Sequence, residues 1–171
     1  MNAQQQDAVV LDTSVLINFL AINQCALLAS HPIFRFVITA HVATEITYPT
    51  QSACLSTAIC NNHLSRLLPG DHAELVTFAQ LTTTLGVGES AAIAAAVHRG
   101  FHVALEDRAA RTRAESLVGR TYLLNTQQLM VGLIRAGEIS ISDADAIKND
   151  WQNNHRFVMP GFQSFADLIA S

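Results

Sequence analysis

Apolar residues recur along this chain in short runs, each followed by a capping residue and then by a helical stripe. Ala8-Val9-Val10-Leu11 leads into Asp12-Thr13-Ser14 and then Val15, Leu16 and Leu20, which reads as buried strand, turn and helix. Phe34 to Ile38 repeats the pattern, with Thr39 capping a helix that carries Val42 and Ile46 on one face and ends at Tyr48-Pro49. The spacing of Leu55, Ile59, Leu64 and Leu68 predicts a helix over 51–68, closed by Pro69-Gly70-Asp71, and a further helix over 73–85 leads into Gly86-Val87-Gly88. Residues 89–99 are Ala-rich and nearly apolar all round, as in a buried helix whose small side chains pack closely on a sheet, and Gly100 stops it. A strand over 101–105, a helix over 107–118 stopped by Gly119, a strand over 121–124 and a helix over 127–135 complete the series. This alternation predicts an α/β fold with a parallel sheet flanked by helices, and binding sites beyond the carboxyl ends of the strands.

After Gly137 the stripe of Ile141, Ala144, Ile147 and Trp151, with Ser142 and Asp145 nearby, predicts a capped helix. Pro160-Gly161 and a short stripe of Phe162, Phe165, Leu168 and Ile169 follow. The expected organisation is a core domain over 1–137 and a helical C-terminal extension over 138–171. That extension should pack on the core or on a second subunit, because its Trp and Phe side chains are too much apolar surface to leave in water. No internal repeat is visible, and Gln4-Gln5-Gln6 reads as a frayed end.

Composition narrows the class. The 171 residues are half hydrophobic with only 10 basic and 14 acidic side chains, which fits one buried core and excludes overall disorder. The longest apolar run, Ala91 to Val97, is far short of the roughly 18 to 20 residues of a membrane helix. The start has no basic region, apolar stretch and cleavage site in series, so a cytoplasmic location and no membrane are expected. Cys25, Cys54 and Cys60 are odd in number and form no CxxC, which favours free thiols over disulfides or a thiolate zinc site. A net charge of -4 lacks the basic footprint usual for nucleic-acid binding. Yet nine of the ten basic residues are Arg, the side chain suited to bidentate phosphate contacts, and Arg108, Arg111 and Arg113 are expected to form a local basic rim.

Four acids occupy similar stations: Asp12 after the first strand, Glu45 in the helix after the second, Glu89 opening the alanine helix, and Asp107 after the Phe101 strand. Singly, each is explained as a cap or as a charge complementing a helix dipole. Gathered at one sheet edge they would repel by a few kcal/mol per close pair at an effective dielectric of about 20, a conflict that a divalent cation resolves. Oxygen-only ligands suit Mg²⁺ or Mn²⁺ rather than zinc. His98 and His102 have a metal-like spacing, but Gly100 ends the helix between them. No GxSxG, Walker A or GxGxxG pattern is present.

The segments Val9-Val10-Leu11-Asp12-Thr13-Ser14-Val15-Leu16-Ile17, Val42-Ala43-Thr44-Glu45, Gly88-Glu89-Ser90-Ala91-Ala92-Ile93 and Glu106-Asp107-Arg108 through Arg111 resemble, in order and spacing, the PIN-domain nucleases over roughly residues 8 to 136. The resemblance implies a three-layer α/β/α sandwich with a small parallel sheet, and places Asp12, Glu45, Glu89 and Asp107 on the family's metal-binding acids. It implies Mg²⁺- or Mn²⁺-dependent hydrolysis of single-stranded RNA, leaving 5′-phosphate and 3′-hydroxyl ends. Many bacterial members are ribonuclease toxins paired with an antitoxin, so single-stranded RNA, a cognate antitoxin and a second copy of the chain are the expected partners. Where many members have one acid this chain has Glu106-Asp107; Asp107 is favoured as ligand, and Glu106 is either a second ligand or a solvated neighbour. Thr13 and Ser14 either hold a phosphate or water at the helix start or simply cap it. Arg108 and Arg111 either bind phosphate or pair with the acids. Two rival readings stand beside this one. One is a phosphatase using Asp12 as nucleophile, although Ser14 occupies the place where such enzymes commonly want a second acid. The other is a PIN-like interaction module without activity.

Overall fold

The computed structural model describes residues 6–170, so Gln4 and Gln5 of the glutamine tract lie outside the described residues. Five strands, β1 (Asp7–Leu11), β2 (Phe34–Ile38), β3 (Ser65–Arg66), β4 (His102–Ala104) and β5 (Leu123–Leu124), form one all-parallel sheet in the order β3-β2-β1-β4-β5. The central strand alternates between two cores, as side chains of period two must: Val9 and Leu11 enter one hydrophobic cluster and Val10 the other. The first cluster holds α1 (Thr13–Ala21), α2 (Cys25–Ala29), α4 (Pro49–Cys60) and α8 (Thr126–Arg135); the second holds α6 (Val87–Arg99) and α7 (Arg108–Val118). The result is the expected three-layer α/β/α sandwich. Among the described residues no helix is long and apolar enough to cross a membrane.

The sharpest difference from the sequence reading is between 51 and 68. Pro49 opens α4 at its first position rather than closing the element before it, and α4 stops at Cys60. Asn61 caps it and Asn62 takes a left-handed φ of 58°, a conformation that Asn tolerates better than most residues, so the helical stripe cannot continue. Leu64 is buried all the same, and Ser65–Arg66 pair with β2 as the sheet's edge. The next helix, α5 (His72–Leu81), is capped by Asp71 and ends before Thr82, Thr83 and Thr84, whose hydroxyls bond to backbone carbonyls. Residues 120–122 form a 3₁₀ turn and leave only Leu123–Leu124 as strand. The five-residue α2 was not expected, being too short to show a period.

After α8 the chain forms α9 (Ile141–Asn154) and α10 (Ala166–Ile169). Ser140, not Ser142, caps α9, its hydroxyl accepting from Asp143 N at 3.1 Å. Asp145 is used differently, accepting from Phe165 N at 2.8 Å and the Ser164 hydroxyl at 2.6 Å, which pins the final segment to α9. Ala144, Trp151 and Phe165 are fully buried and share one cluster with β1 and α1, and the Trp151 ring meets Phe19 edge-on at 5.8 Å.

Candidate active site at the carboxyl rim of the sheet

Each of the four acids sits where a strand or loop gives way to a helix, or where a helix ends facing such a junction. Asp12 follows β1 directly. Its backbone N–H donates to Ala104 O at 3.1 Å, stitching the end of β1 to β4, while its carboxylate caps α1 by accepting from the N–H and hydroxyl of Ser14. Asp12 is only 3% exposed. Glu45 is the last residue of α3 (Ala40–Glu45), the helix that Thr39 caps as expected. One of its oxygens accepts from Gly88 N at 2.9 Å and the other from the Thr13 hydroxyl. Glu89, at the third position of α6, accepts from Gly86 N at 3.0 Å. Asp107 caps α7 through Ala110 N at 2.9 Å.

The capping roles are therefore realised for Asp12 and Asp107, while Glu45 and Glu89 are held by backbone N–H groups at the start of α6. The helix starts hold the carboxylates in place, and β1 and β4 carry those of α1 and α7 to the carboxyl edge of the sheet. Burial, and then repulsion from Asp12, Asp107 and Glu45, push the Glu89 carboxyl above its ordinary range against the pull of its bond to Gly86. Asp12 is likewise raised, mainly by burial and in lesser part by Glu45, while its bonds to Ser14 and Thr13 act in the opposite sense. Glu89 thus feels all three of the other acids.

Gly88 was quoted in the sequence only as part of a motif, yet it makes this junction possible. A Cβ built there would overlap Glu45 Oε2 and the Thr13 hydroxyl, so these two side chains meet as they do only over a bare α-carbon. Its backbone N–H, donated to Glu45, is a contact that no side-chain pattern advertises.

Glu106 is held rather than left to solvent. Its Oε1 accepts from Thr126 N at 2.8 Å. Burial raises its carboxyl, repulsion from Asp12 adds to this, and the Thr126 bonds and the nearby Arg111 charge oppose it. Arg111 turns inward, where Nη1 donates to Leu105 O at 3.0 Å and Leu124 O at 2.7 Å, clamping the ends of β4 and β5. Arg108 and Arg113 are exposed and line a shallow groove along α7 together with Asp107, Thr112 and Ser116. His98 and His102 stay apart: the His98 ring bonds to the Thr77 hydroxyl, whereas His102 packs between Phe34 and Tyr122.

Among the described residues no group of three or more His, Cys, Asp or Glu side chains is drawn together tightly enough to hold an ion as the chain stands. The donor chemistry nevertheless suits a hard divalent cation, since the four acids offer oxygen ligands and the Glu89 carboxyl is repelled by the other three.

A family model described as DUF3368, a PIN domain, matches residues 8–149, a span that contains all four acids, Thr13, Ser14, Glu106, Arg108 and Arg111. No curated protein is matched. PIN domains are generally nucleases, and these nucleases generally use divalent metal ions. With that match spanning most of the chain and the five-stranded parallel sheet between two helical layers, the chain belongs to the PIN-domain family.

Proposed function

We propose that this chain is a Mg²⁺- or Mn²⁺-dependent endoribonuclease acting on single-stranded RNA. The observation that carries the reading is that Glu45 bonds to both the Thr13 hydroxyl and Gly88 N–H, the residues next to Asp12 and Glu89, with the repulsion felt by Glu89 in support. Those four carboxylates are the residues to hold the ion. When bound, such an ion makes water a better nucleophile and neutralises charge developing on the phosphate. The chain's own contribution is placement. The Thr13 hydroxyl and Gly88 N–H fix both oxygens of Glu45, and the caps of α1, α6 and α7 fix Asp12, Glu89 and Asp107. Arg108 and Arg113, exposed beside Asp107, supply the phosphate contacts along α7, and Arg111 keeps its clamping role. Ser14 acts through Asp12, to which it donates twice.

Asp12 as a phosphatase nucleophile is disfavoured, because Ser14 occupies the place where such enzymes commonly want a second acid. The inactive-module reading gains no support from a rim at which all four acids are held by hydrogen bonds. The same proposal includes a cytoplasmic setting, a toxin role with a cognate antitoxin and a homodimer, with the family resemblance as support.

The test is cleavage of an end-labelled single-stranded RNA in Mn²⁺, with and without EDTA, beside Asp12→Asn. Cleavage abolished by EDTA and lowered at least 100-fold in Asp12→Asn is expected, as removal of one hard ligand disables such sites. Cleavage indifferent to EDTA would sink the proposal.

A further inference from the structure

The positive charge of this chain is spread unevenly about the rim. Before Arg99 the only Arg or Lys side chains are Arg35 and Arg66, so α1 and α3 carry none. The helix α6 carries only Arg99 at its far end, paired with Glu74 at 2.8 Å. Arg66 ends the outer strand β3, three places from β4 in the sheet. Four arginines then fall within residues 108–120. Arg111 is spent on the ends of β4 and β5, but Arg108 and Arg113 are exposed and open into a groove that Asp107 also lines. Among the described residues no carboxylate lies within ion-pair distance of either. Arg108 occupies the first position of α7, where the helix dipole disfavours a cation, and no acid stands in that first turn. An acid there would serve the helix better, so the use of this charge lies outside the helix.

We infer that the α7 groove is a sequence-independent track for the RNA backbone, on which Arg108 and Arg113 hold two successive phosphates on one side of the bond cut at the rim. This deepens the nuclease reading above and rests on it. At about 100° per residue, Thr112, Ser116 and Ala109 lie at angles between Arg108 and Arg113, so the two arginines flank a floor made of those three residues. The arginines stand about 7.5 Å apart along the helix axis, a step that adjacent phosphates of a flexible single strand can match. The floor itself cannot bind phosphate. The Thr112 hydroxyl donates to Arg108 O at 2.9 Å and the Ser116 hydroxyl to Arg113 O at 2.7 Å. Each hydroxyl has a single proton, so neither has one left for a phosphate oxygen, which only accepts. The guanidinium groups are therefore the side-chain donors that remain in the groove. Contacts from guanidinium to phosphate position a strand without reading its bases. Because α1, α3 and α6 offer no free Arg or Lys, the local field draws the strand from the rim along α7 even though the chain's net charge is -4.

The test uses the full chain in EDTA and a fluorescein-labelled oligo(U) of about 10 nucleotides, with affinity read by anisotropy across a range of salt concentrations. Each phosphate neutralised on a single strand contributes about 0.7 to the slope of log affinity against log salt. Arg108→Gln and Arg113→Gln should each reduce that slope by about 0.7 and the double variant by about 1.4, with the same losses on oligo(A) and oligo(C). Arg35→Gln removes an equal charge, which lies over the Phe101 ring at the amino edge of the sheet, and should leave the slope unchanged. Arg108→Gln should melt no lower than wild type, since it relieves the helix dipole. In Mn²⁺, the cleavage ladder of the end-labelled RNA should stop at least two nucleotides short of one end only. A folded double variant with wild-type slope and affinity, or a loss confined to one base, would overturn the inference and leave the nuclease reading standing. Cleavage equally close to both ends would overturn it as well. A wild type that binds these RNAs but cleaves none removes the nuclease reading, and the slopes alone then judge the track. No binding at the lowest salt overturns the track outright.

Discussion

At the scale of single residues, the rim is a set of carboxylates kept in place against their own repulsion. Asp12, Glu89 and Glu106 all have folded-state values above the ordinary 3.8 and 4.5 of their side chains, with burial as the leading cause. A carboxyl raised on folding binds its proton more tightly in the native state. It therefore contributes stability that is fully present below its ordinary value and is lost as pH rises through the raised one. Metal-free protein should accordingly lose the contribution of these three groups as pH climbs from the ordinary carboxylate range towards neutrality. In Asp12→Asn that decline should be shallower, with the metal-free variant melting no lower than wild type at pH 7, since Asn also caps helices well. Saturating Mn²⁺ at about 100 times its Kd should add roughly 2.7 kcal/mol, or about 5 to 10 °C in Tm, to wild type and much less to the variant. Parallel pH–Tm curves for the two proteins, with a metal-free Asp12→Asn melting several degrees lower, would mean that Asp12 serves only as a cap.

At the scale of elements, the junction of α1, α3 and α6 over Gly88 is the tightest constraint in the site. Gly88→Ala forces the end of the Glu45 side chain and the Thr13 hydroxyl aside, and both can move without shifting backbone. The cost in stability should stay near the low end of the roughly 1 to 3 kcal/mol usual for overpacking, while Mn²⁺ affinity and RNA cleavage fall at least 10-fold. Thermal melts and metal titration on the same sample separate these effects; an unchanged Mn²⁺ titration would show that Glu45 has no part in binding. Elements also explain what could be read from the sequence. Asp12, Thr39 and Asp107 are legible because a cap is a local event, one side chain answering an N–H two or three residues away. The edge strand Ser65–Arg66 is not, since two exposed residues carry no period and only the neighbouring β2 makes them strand. Arg111 is a related case: its position beside the acids suggests phosphate, but the two carbonyls that it satisfies come from strand ends and appear only once the sheet is formed.

On the scale of the whole molecule, no boundary in packing falls at Gly137. Ala144, Trp151 and Phe165 lie in the same cluster as Val9, Phe19 and Leu133, and the matched PIN-domain span itself runs on to residue 149. Full burial of side chains such as Trp151 and Phe165 is worth roughly 1.5 to 3 kcal/mol each, a large part of a typical net stability of about 5 to 15 kcal/mol. A chain ending at Gly137 should thus be insoluble, or melt at least 10 °C lower by circular dichroism, given about 2 to 4 °C per kcal/mol for a domain of this size. Equal solubility and Tm would show the last helices to be dispensable. The apolar stripe of this segment was visible in sequence, but its destination was not, because periodicity identifies a buried face without identifying what covers it.

The hydrogen bond between Trp151 and Asn18 closes a span of 133 residues. Contacts so remote in sequence form late, because chain entropy opposes closing a long loop before its reward is available. During synthesis α1 emerges well before α9. A nascent chain therefore exposes α1 before α9 can cover Phe19 and bond to Asn18, and the order of synthesis delays closure of this side of the core.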